Sequence, residues 1–465
     1  MTAFDTVVAG GTVVSPDGQQ RLDLGIRDGR VAALMAPGTE VEAGETIDAT
    51  GRHVLPGLVD PHAHIGLGGE QDWRTESEMA ARGGITTVIN YVLGGDSYHQ
   101  LVAAERALAD SLSHIDYGIH VCPCSRQHLD ELGEYASELG VCSFKSFMSF
   151  RGEEGAYLGI EGIDDGYLFE YLERVAEQPA GVANVHAENI ELVWKLRAEL
   201  AERPPETLSD FEATRPDIAE AEATARAAYF AGMTGTSLYV VHVSAAAALH
   251  EIELARTRGT EAPLHAETCT HYLTHTVDSP VGPLGKVNPP LRHEADREEL
   301  WRGLADGRIQ VVGSDHVPRH RELKEVGVAK SPAGIAGIGT TLTVLLSEGY
   351  HARGLSLEKI VELTAANPAR IFGLEGRKGS LDVGADADLV LVDLDRRRNV
   401  DAGTWGGAAG YNLYEGWAMT GWPTLTMRRG ETICAEGEIR GEPGSGTYLH
   451  RGAATAPNSP DEEAV

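Results

Sequence analysis

The feature that most constrains this chain is a rhythm. Apolar runs of strand length alternate with helix-length segments from about residue 54 to residue 313. The runs fall at 54–60, 85–91, 115–121, 141–147, 182–186, 238–242, 264–268 and 309–313. Between them lie alanine-rich or amphipathic segments such as 97–113, 217–234 and 245–258. A strand buried on both faces reads as a near-continuous apolar run, and alternation with helices is the pattern of parallel sheets. Eight such units predict an α/β fold, a (β/α)8 barrel of the TIM type.

The flanks have another character. Phe4-Asp5-Thr6-Val7-Val8 and Thr12-Val13-Val14 are β-branched stretches around Gly10-Gly11, read here as a turn. Pro16-Asp17-Gly18 and Asp28-Gly29 are further turn signals. After a helical stretch at 357–372 that stops at Gly373, β-character returns at 387–392 and 424–427. These ends predict a small β-sandwich-like domain built from residues 1–53 and 374–451 around a barrel at 54–373. Residues 452–465 are small, polar and acidic, which predicts a mobile tail.

Composition narrows the function. The net charge of −31 disfavours nucleic acid as a partner. No apolar run is long enough to span a bilayer, and no basic-then-apolar leader opens the chain. The five cysteines, Cys122, Cys124, Cys142, Cys269 and Cys434, are too sparse for a disulfide framework. Reduced cysteines and the absent leader predict a soluble cytoplasmic protein.

The chemistry gathers at strand ends. Asp60-Pro61-His62-Ala63-His64 closes the first run, and alternate residues of a strand face the same way, so His62 and His64 project together. Lys145 lies in Ser143-Phe144-Lys145-Ser146-Phe147, between aromatic residues. His186 ends the fifth run, His242 the sixth, and Asp315 follows the eighth. All fall at the carboxyl-terminal mouth, where barrel enzymes build their sites. Four imidazoles and a carboxylate suit zinc or a similar divalent ion. A lysine among them makes sense only if it is neutral and has been converted to an anion. His271 and His275 lack the glutamate of a metalloprotease helix and are read as a structural loop, with Cys269 a small buried residue. His316 is either a group that orients a ligand or a structural one.

With these residues in place, the chain resembles the cyclic amidohydrolases: hydantoinase, dihydropyrimidinase, allantoinase and dihydroorotase. Asn412-Leu413-Tyr414-Glu415-Gly416-Trp417 and Gly421-Trp422-Pro423 extend the resemblance to the C-terminal region. It implies a carboxylated Lys145 bridging two divalent metal ions, zinc for preference. His62, His64 and Asp315 would hold one ion, and His186 and His242 the other. It also implies that a metal-bridging hydroxide cleaves a cyclic amide C–N bond in a hydantoin, dihydropyrimidine or cyclic imide ring, with Asp315 carrying the proton. A homo-oligomer, dimer or tetramer, is the expected assembly. Allantoinase-like or dihydroorotase-like hydrolysis, or a catalytically silent scaffold, are the alternatives.

The substrate contacts depart from the hydantoinase pattern. Gly66 stands where dihydroorotase-like enzymes place an arginine, Phe150 where hydantoinases place a tyrosine, Asn288 for a serine and Ala333 for an asparagine. Tyr157, on the same loop as Phe150, is the candidate for the missing hydroxyl. A more apolar wall at Phe150 predicts weak activity on unsubstituted hydantoin and dihydrouracil, and better activity on a substituted hydantoin or cyclic imide.

Overall fold

The computed structural model describes residues 3–67, 69–156, 162–259 and 262–451. Tyr157 and the expected tail at 452–465 lie outside the described residues. Among the described residues, eight strands form one parallel sheet in chain order. They are Leu58–Ala63, Ile85–Val92, Asp116–Val121, Ser143–Phe147, Val182–His186, Ser237–Val240, Leu264–Cys269 and Val311–Gly313. Every residue of Ile85–Val92 is buried, as are all five of Ser143–Phe147. That follows from side chains filling the barrel on one face and helices covering the other.

The barrel closes where its last strand returns to its first. Ser314 Oγ donates to the His62 carbonyl at 3.0 Å, and the His64 amide donates to the His316 carbonyl at 2.8 Å. Closure therefore runs through the residues on either side of Asp315 and brings that residue beside the two histidines.

Outside, the helices pack tightly. Asp217–Thr234 begins after Pro216, carries Asp217 and Glu220 in its first turn, and ends on Gly235 at φ +72°. These are favourable start and stop signals. Its buried face is rich in alanine, which lets it lie close against Ala246–Thr257.

The chain ends interleave in one mixed sheet of nine strands among the described residues. His53–Pro56 from the N-terminal part pairs antiparallel with Leu389–Asn399 from the C-terminal part. Val8, Val13, Leu24, Ile26, Val54, Leu389, Leu391 and Met427 form a core for this sheet, separate from that of the barrel. Asp28 and Gly29 both have positive φ, the conformation of a two-residue hairpin turn.

Two strand expectations are corrected, and one helical stretch carries an irregularity. The run at 54–60 is two strands, because Pro56-Gly57 breaks it. Val54 and Leu55 belong to the mixed sheet, and the barrel strand starts at Leu58. Gly57 passes so close to Thr86 that an added Cβ would lie 2.3 Å from its Oγ1. Gly10-Gly11 is no turn: Phe4–Ser15 is a single strand with a bulge there. Before the bulge the strand pairs with Ala43–Asp48, and after it with His53–Pro56. The bulge is what lets one strand change neighbours. The stretch 357–372 is helical but holds a π-turn at Glu362–Ala366, ahead of Pro368. Proline lacks the N–H that regular α-helical bonding requires.

Candidate active site

The predicted strand-end residues converge at the mouth. His62 Nε2 lies 3.0 Å from Asp315 Oδ1, and His64 Nε2 lies 3.5 Å from the same oxygen. The ligand atoms of these three residues all fall within 4.8 Å of one another, close enough to share one metal ion. Lys145 Nζ lies 3.0 Å from His62 Nε2 and sits over the rings of Tyr91 and Phe147, at 4.1 and 4.7 Å from their centroids. His242 stacks on His62 with ring centroids 5.4 Å apart, and His186 meets His242 edge-on at 4.6 Å.

Two of these residues carry backbone strain. His242 and Asp315 have φ of +42° and +44°, in the left-handed region. Such a conformation costs on the order of 1–3 kcal/mol in a residue with a Cβ and tends to persist at functional sites. Both lie just past a strand end, where the chain turns across the barrel mouth.

Electrostatics sort the group. Burial lowers His64 to about 4 and holds His242 well below the ordinary imidazole range, so both are neutral and able to ligate. Burial and Lys145 oppose a charge on His62, but Glu267 and Asp315 outweigh them and raise it. Burial would raise Asp315, yet the neighbouring histidines keep it well below the usual carboxylate range. Burial lowers Lys145.

Two carboxylates that the sequence reading passed over hold the histidines in place. Glu267, fully buried, accepts from His62 Nδ1 at 2.6 Å, from the His242 backbone N–H at 2.9 Å and from the Tyr239 hydroxyl at 2.8 Å. Glu188 accepts from His186 Nε2 at 2.6 Å and from Arg215 Nη1 at 2.8 Å. Burial opposes its charge, but Arg215 and His186 hold it at about 2. A carboxylate on the far nitrogen sets the tautomer and aim of a ligating imidazole. The signal for both was present. Glu267 interrupts a buried strand, and Glu188 lies two residues past His186.

The remaining candidates separate. His316 faces Glu76 at 2.9 Å and takes the Gly337 N–H on Nδ1, so it secures the loops behind the barrel seam. The expected loop is instead a short buried helix, Thr270–Thr274, with His271 inside it and His275 at its C-terminal cap, and Cys269 is buried.

A cavity of about 450 Å³ opens onto the cluster. His64, Lys145, His186, His242 and Asp315 lie in its wall, as do Phe150, Asn288 and Ala333. Phe150 stacks on Phe147 at 4.4 Å and lies nearly parallel to the His186 ring at 6.4 Å. Asn288 Oδ1 is buried with no hydrogen-bond partner among the described residues.

The donor set fits a metal centre. His242 Nδ1 is buried without a partner among the described residues, and more imidazoles converge here than hydrogen bonding inside the protein employs. Imidazoles and a carboxylate at the carboxyl ends of barrel strands are the working parts of metal-dependent barrel hydrolases.

Comparison with known proteins places the chain within that class. The profile described as Amidohydrolase family matches residues 241–433, and a second of the same description matches 45–123. The chain is 34% identical to a D-hydantoinase of Ralstonia pickettii over 96% of this chain and 99% of that protein. It is 36% identical to an allantoinase of Deinococcus radiodurans over 95% and 98% of the two chains. A solved D-hydantoinase from a Bacillus species superposes with a TM-score of 0.89 at 33% identity, covering 97% of this chain and all of that one. The chain belongs to the amidohydrolase family, whose members depend on metal.

Proposed function

We propose that this protein hydrolyses a cyclic amide, opening a hydantoin, dihydropyrimidine or cyclic imide ring. The observation that carries the reading is Lys145. Its amine is buried against aromatic faces and imidazoles, in contact distance of His62, at the centre of a ligand cluster. Deprotonated, its Nζ forms a bond to the carbon of carbon dioxide and releases a proton, giving a carbamate anion. His62, His64 and Asp315 would hold one divalent ion, His186 and His242 a second, and carboxylated Lys145 both. Zinc suits these donors. When bound, such a pair supplies an activated water at neutral pH and polarises the ring carbonyl.

The protein's own groups do the rest. Asp315 accepts the proton of the attacking water on its free carboxylate oxygen and passes it to the ring nitrogen as the C–N bond breaks. The water oxygen stays on the acyl carbon as a new carboxylate. Phe150 packs the ring against the His186 side of the cavity and offers no hydroxyl. Asn288 presents an unoccupied acceptor to a ring N–H. Tyr157 is retained as the candidate hydroxyl.

Two further points complete the reading. No described helix is long and apolar enough to cross a membrane, and the five free cysteines are buried, in keeping with a cytoplasmic enzyme. Ile218, Tyr229 and Met233 are exposed along Asp217–Thr234, which supports a homo-oligomer; a monomer mass by light scattering would refute that.

The test is a hydrolysis screen over hydantoins, dihydropyrimidines, allantoin, dihydroorotate and cyclic imides, with metal analysis of the same preparation. Ring opening by an enzyme holding about two ions per subunit is expected. Preference for allantoin or dihydroorotate would move the substrate towards the allantoinase-like or dihydroorotase-like alternative. A preparation with far fewer than about one ion per subunit and no hydrolysis would identify a silent scaffold.

A further inference from the structure

The last described stretch of the chain runs under the barrel. Gly444 and Gly446 donate their amides to the Ser113 carbonyl at 3.1 and 3.0 Å. Beyond them the segment joins the amino-terminal end of the strand Asp116–Val121. The Tyr117 amide donates to the Thr447 carbonyl at 3.0 Å, and the Leu449 amide to the Tyr117 carbonyl at 2.7 Å. The Tyr448 hydroxyl donates to the Leu139 carbonyl at 2.7 Å, and the Arg106 guanidinium covers the Tyr448 ring. A strap held in this way delivers Arg451 to the barrel floor, its amide on the Gly140 carbonyl at 2.8 Å. The mouth, with its ligand cluster, is at the opposite end of the same strands.

Arg451 turns its side chain inward and is 3% exposed. Gly118 leaves room for it, since a Cβ added there would lie 3.0 Å from Arg451 Nε. Nη2 donates to the Ile119 carbonyl, and Nη1 donates to Ser143 Oγ at 2.8 Å. A guanidinium buried on neutral partners is costly, and here the partners lead towards the metal cluster. Ser143 Oγ lies 2.5 Å from His120 Nδ1, and His120 Nε2 lies 3.0 Å from the Pro61 carbonyl. A carbonyl can only accept, so Nε2 carries the ring hydrogen. A second positive charge beside Arg451 is disfavoured, so Nδ1 is bare and takes the Ser143 hydrogen. The carbonyl held by His120 belongs to the Pro61–His62 peptide, whose N–H donates to Asp60 Oδ1 at 3.1 Å. The His120 ring also stacks on Tyr91 with centroids 4.3 Å apart, and Tyr91 is the ring over which Lys145 Nζ sits.

We propose that Arg451 is a positioning residue for the metal centre, acting from the barrel floor through Ser143 and His120 on the peptide that carries His62. The inference rests on the reading of His62 as a metal ligand and adds to it a part of the chain remote from the mouth. His120 and Asp60 hold the Pro61–His62 peptide from its two sides, so they fix the backbone from which the imidazole reaches the ion. Glu267 fixes the ring itself. Aim matters because ligand distances in a metal site hold to about 0.2 Å. Without Arg451, Ser143 Oγ is free to turn its hydrogen elsewhere. His120 can then take its other tautomer, and the Pro61 carbonyl loses its donor.

The experiment uses the full chain loaded with zinc. It measures zinc affinity by competition with a chelator, and stability by chemical denaturation. Arg451→Met and Ser143→Ala should each weaken zinc binding by roughly tenfold or more, with kcat returning close to native when zinc is in excess. Arg451→Lys, which can still donate to Ser143, should retain most of the affinity. Tyr448→Phe removes the tie to Leu139 from the same strap without touching the relay, so it should lose stability and keep native zinc affinity. Native affinity in both Arg451→Met and Ser143→Ala would overturn the inference and leave metal binding standing. Should Arg451→Met fail to fold, Ser143→Ala decides alone. An equal loss of affinity in Tyr448→Phe would also overturn it, since the strap would then act only by holding the fold together. A native protein that takes up no zinc would overturn the metal-centre reading and this inference with it.

Discussion

Lys145 and Lys378 are both buried lysines, and they are buried in opposite ways. Lys378 sits where the barrel meets the mixed sheet, its Nζ 2.6 Å from Asp116, 3.0 Å from Asp386 and 2.8 Å from Asp388. Burial opposes its charge, but the three aspartates outweigh it and raise its pKa. Lys145 meets imidazoles and aromatic faces, and burial lowers it. A desolvated ammonium is tolerable when carboxylates surround it and costly when they do not. One lysine is therefore locked as a cation that joins two sheets. The other is poised to lose its proton, which is what reaction with carbon dioxide requires.

Removing the amines should separate these roles most sharply. Lys145→Ala is expected to lose most bound metal and to reduce turnover by roughly a thousandfold or more, about 4 kcal/mol in the barrier, while thermal unfolding stays cooperative. A variant that keeps two ions and normal turnover would end the bridging assignment. Next in size is Asp315→Asn, which keeps an oxygen ligand and removes the proton carrier. Turnover should fall by roughly 10²–10⁴-fold with KM changed far less. Near-native turnover would move the proton transfer to another group.

The contrast also shows how far the sequence could be read. The barrel was legible because parallel strands are written as apolar runs, and the mouth residues stood out as polar groups ending those runs. The pairing of each buried charge was not. Nothing near Lys378 in sequence announces Asp116, some 260 positions earlier, which lies 2.6 Å away. Glu267 and His62 are likewise far apart in the chain. Local breaks misled for a similar reason. Gly10-Gly11 reads as a turn unless one knows that the strand must change partners at that point, and Pro56-Gly57 divides what reads as one run.

Lys378→Met tests the structural side of the contrast. It leaves Asp388 without its cation, while Asp116 keeps Arg429 and Asp386 keeps Arg377, and stability should fall by roughly 3–5 kcal/mol. Burial already raises Asp388, and loss of Lys378 should raise it further. The folded variant then binds protons that the unfolded chain does not, so its deficit should narrow as pH falls from neutral. Chemical denaturation of both proteins at two pH values measures this. Metal content and turnover per folded molecule should stay near native. A variant as stable as the parent would show that the aspartates are satisfied without the lysine.

The smallest effect should come from the carboxylate that serves the catalytic side without touching metal or substrate. Glu267 binds His62 Nδ1 through Oε1, the atom that also takes the His242 N–H, and binds the Tyr239 hydroxyl through Oε2. It therefore aims one imidazole and anchors the backbone of another. Glu267→Gln keeps the shape, and its amide oxygen can still accept the two bonds made at Oε1, but it loses the charge that holds the His62 tautomer. Metal affinity should fall roughly 10–100-fold, with turnover recovering when metal is supplied in excess. That recovery distinguishes an orienting group from a reacting one, since Asp315→Asn should not be rescued by added metal. If Glu267→Gln were as impaired as Asp315→Asn at saturating metal, Glu267 would share in the proton transfer, and the division between groups that hold and a group that reacts would fail at that position.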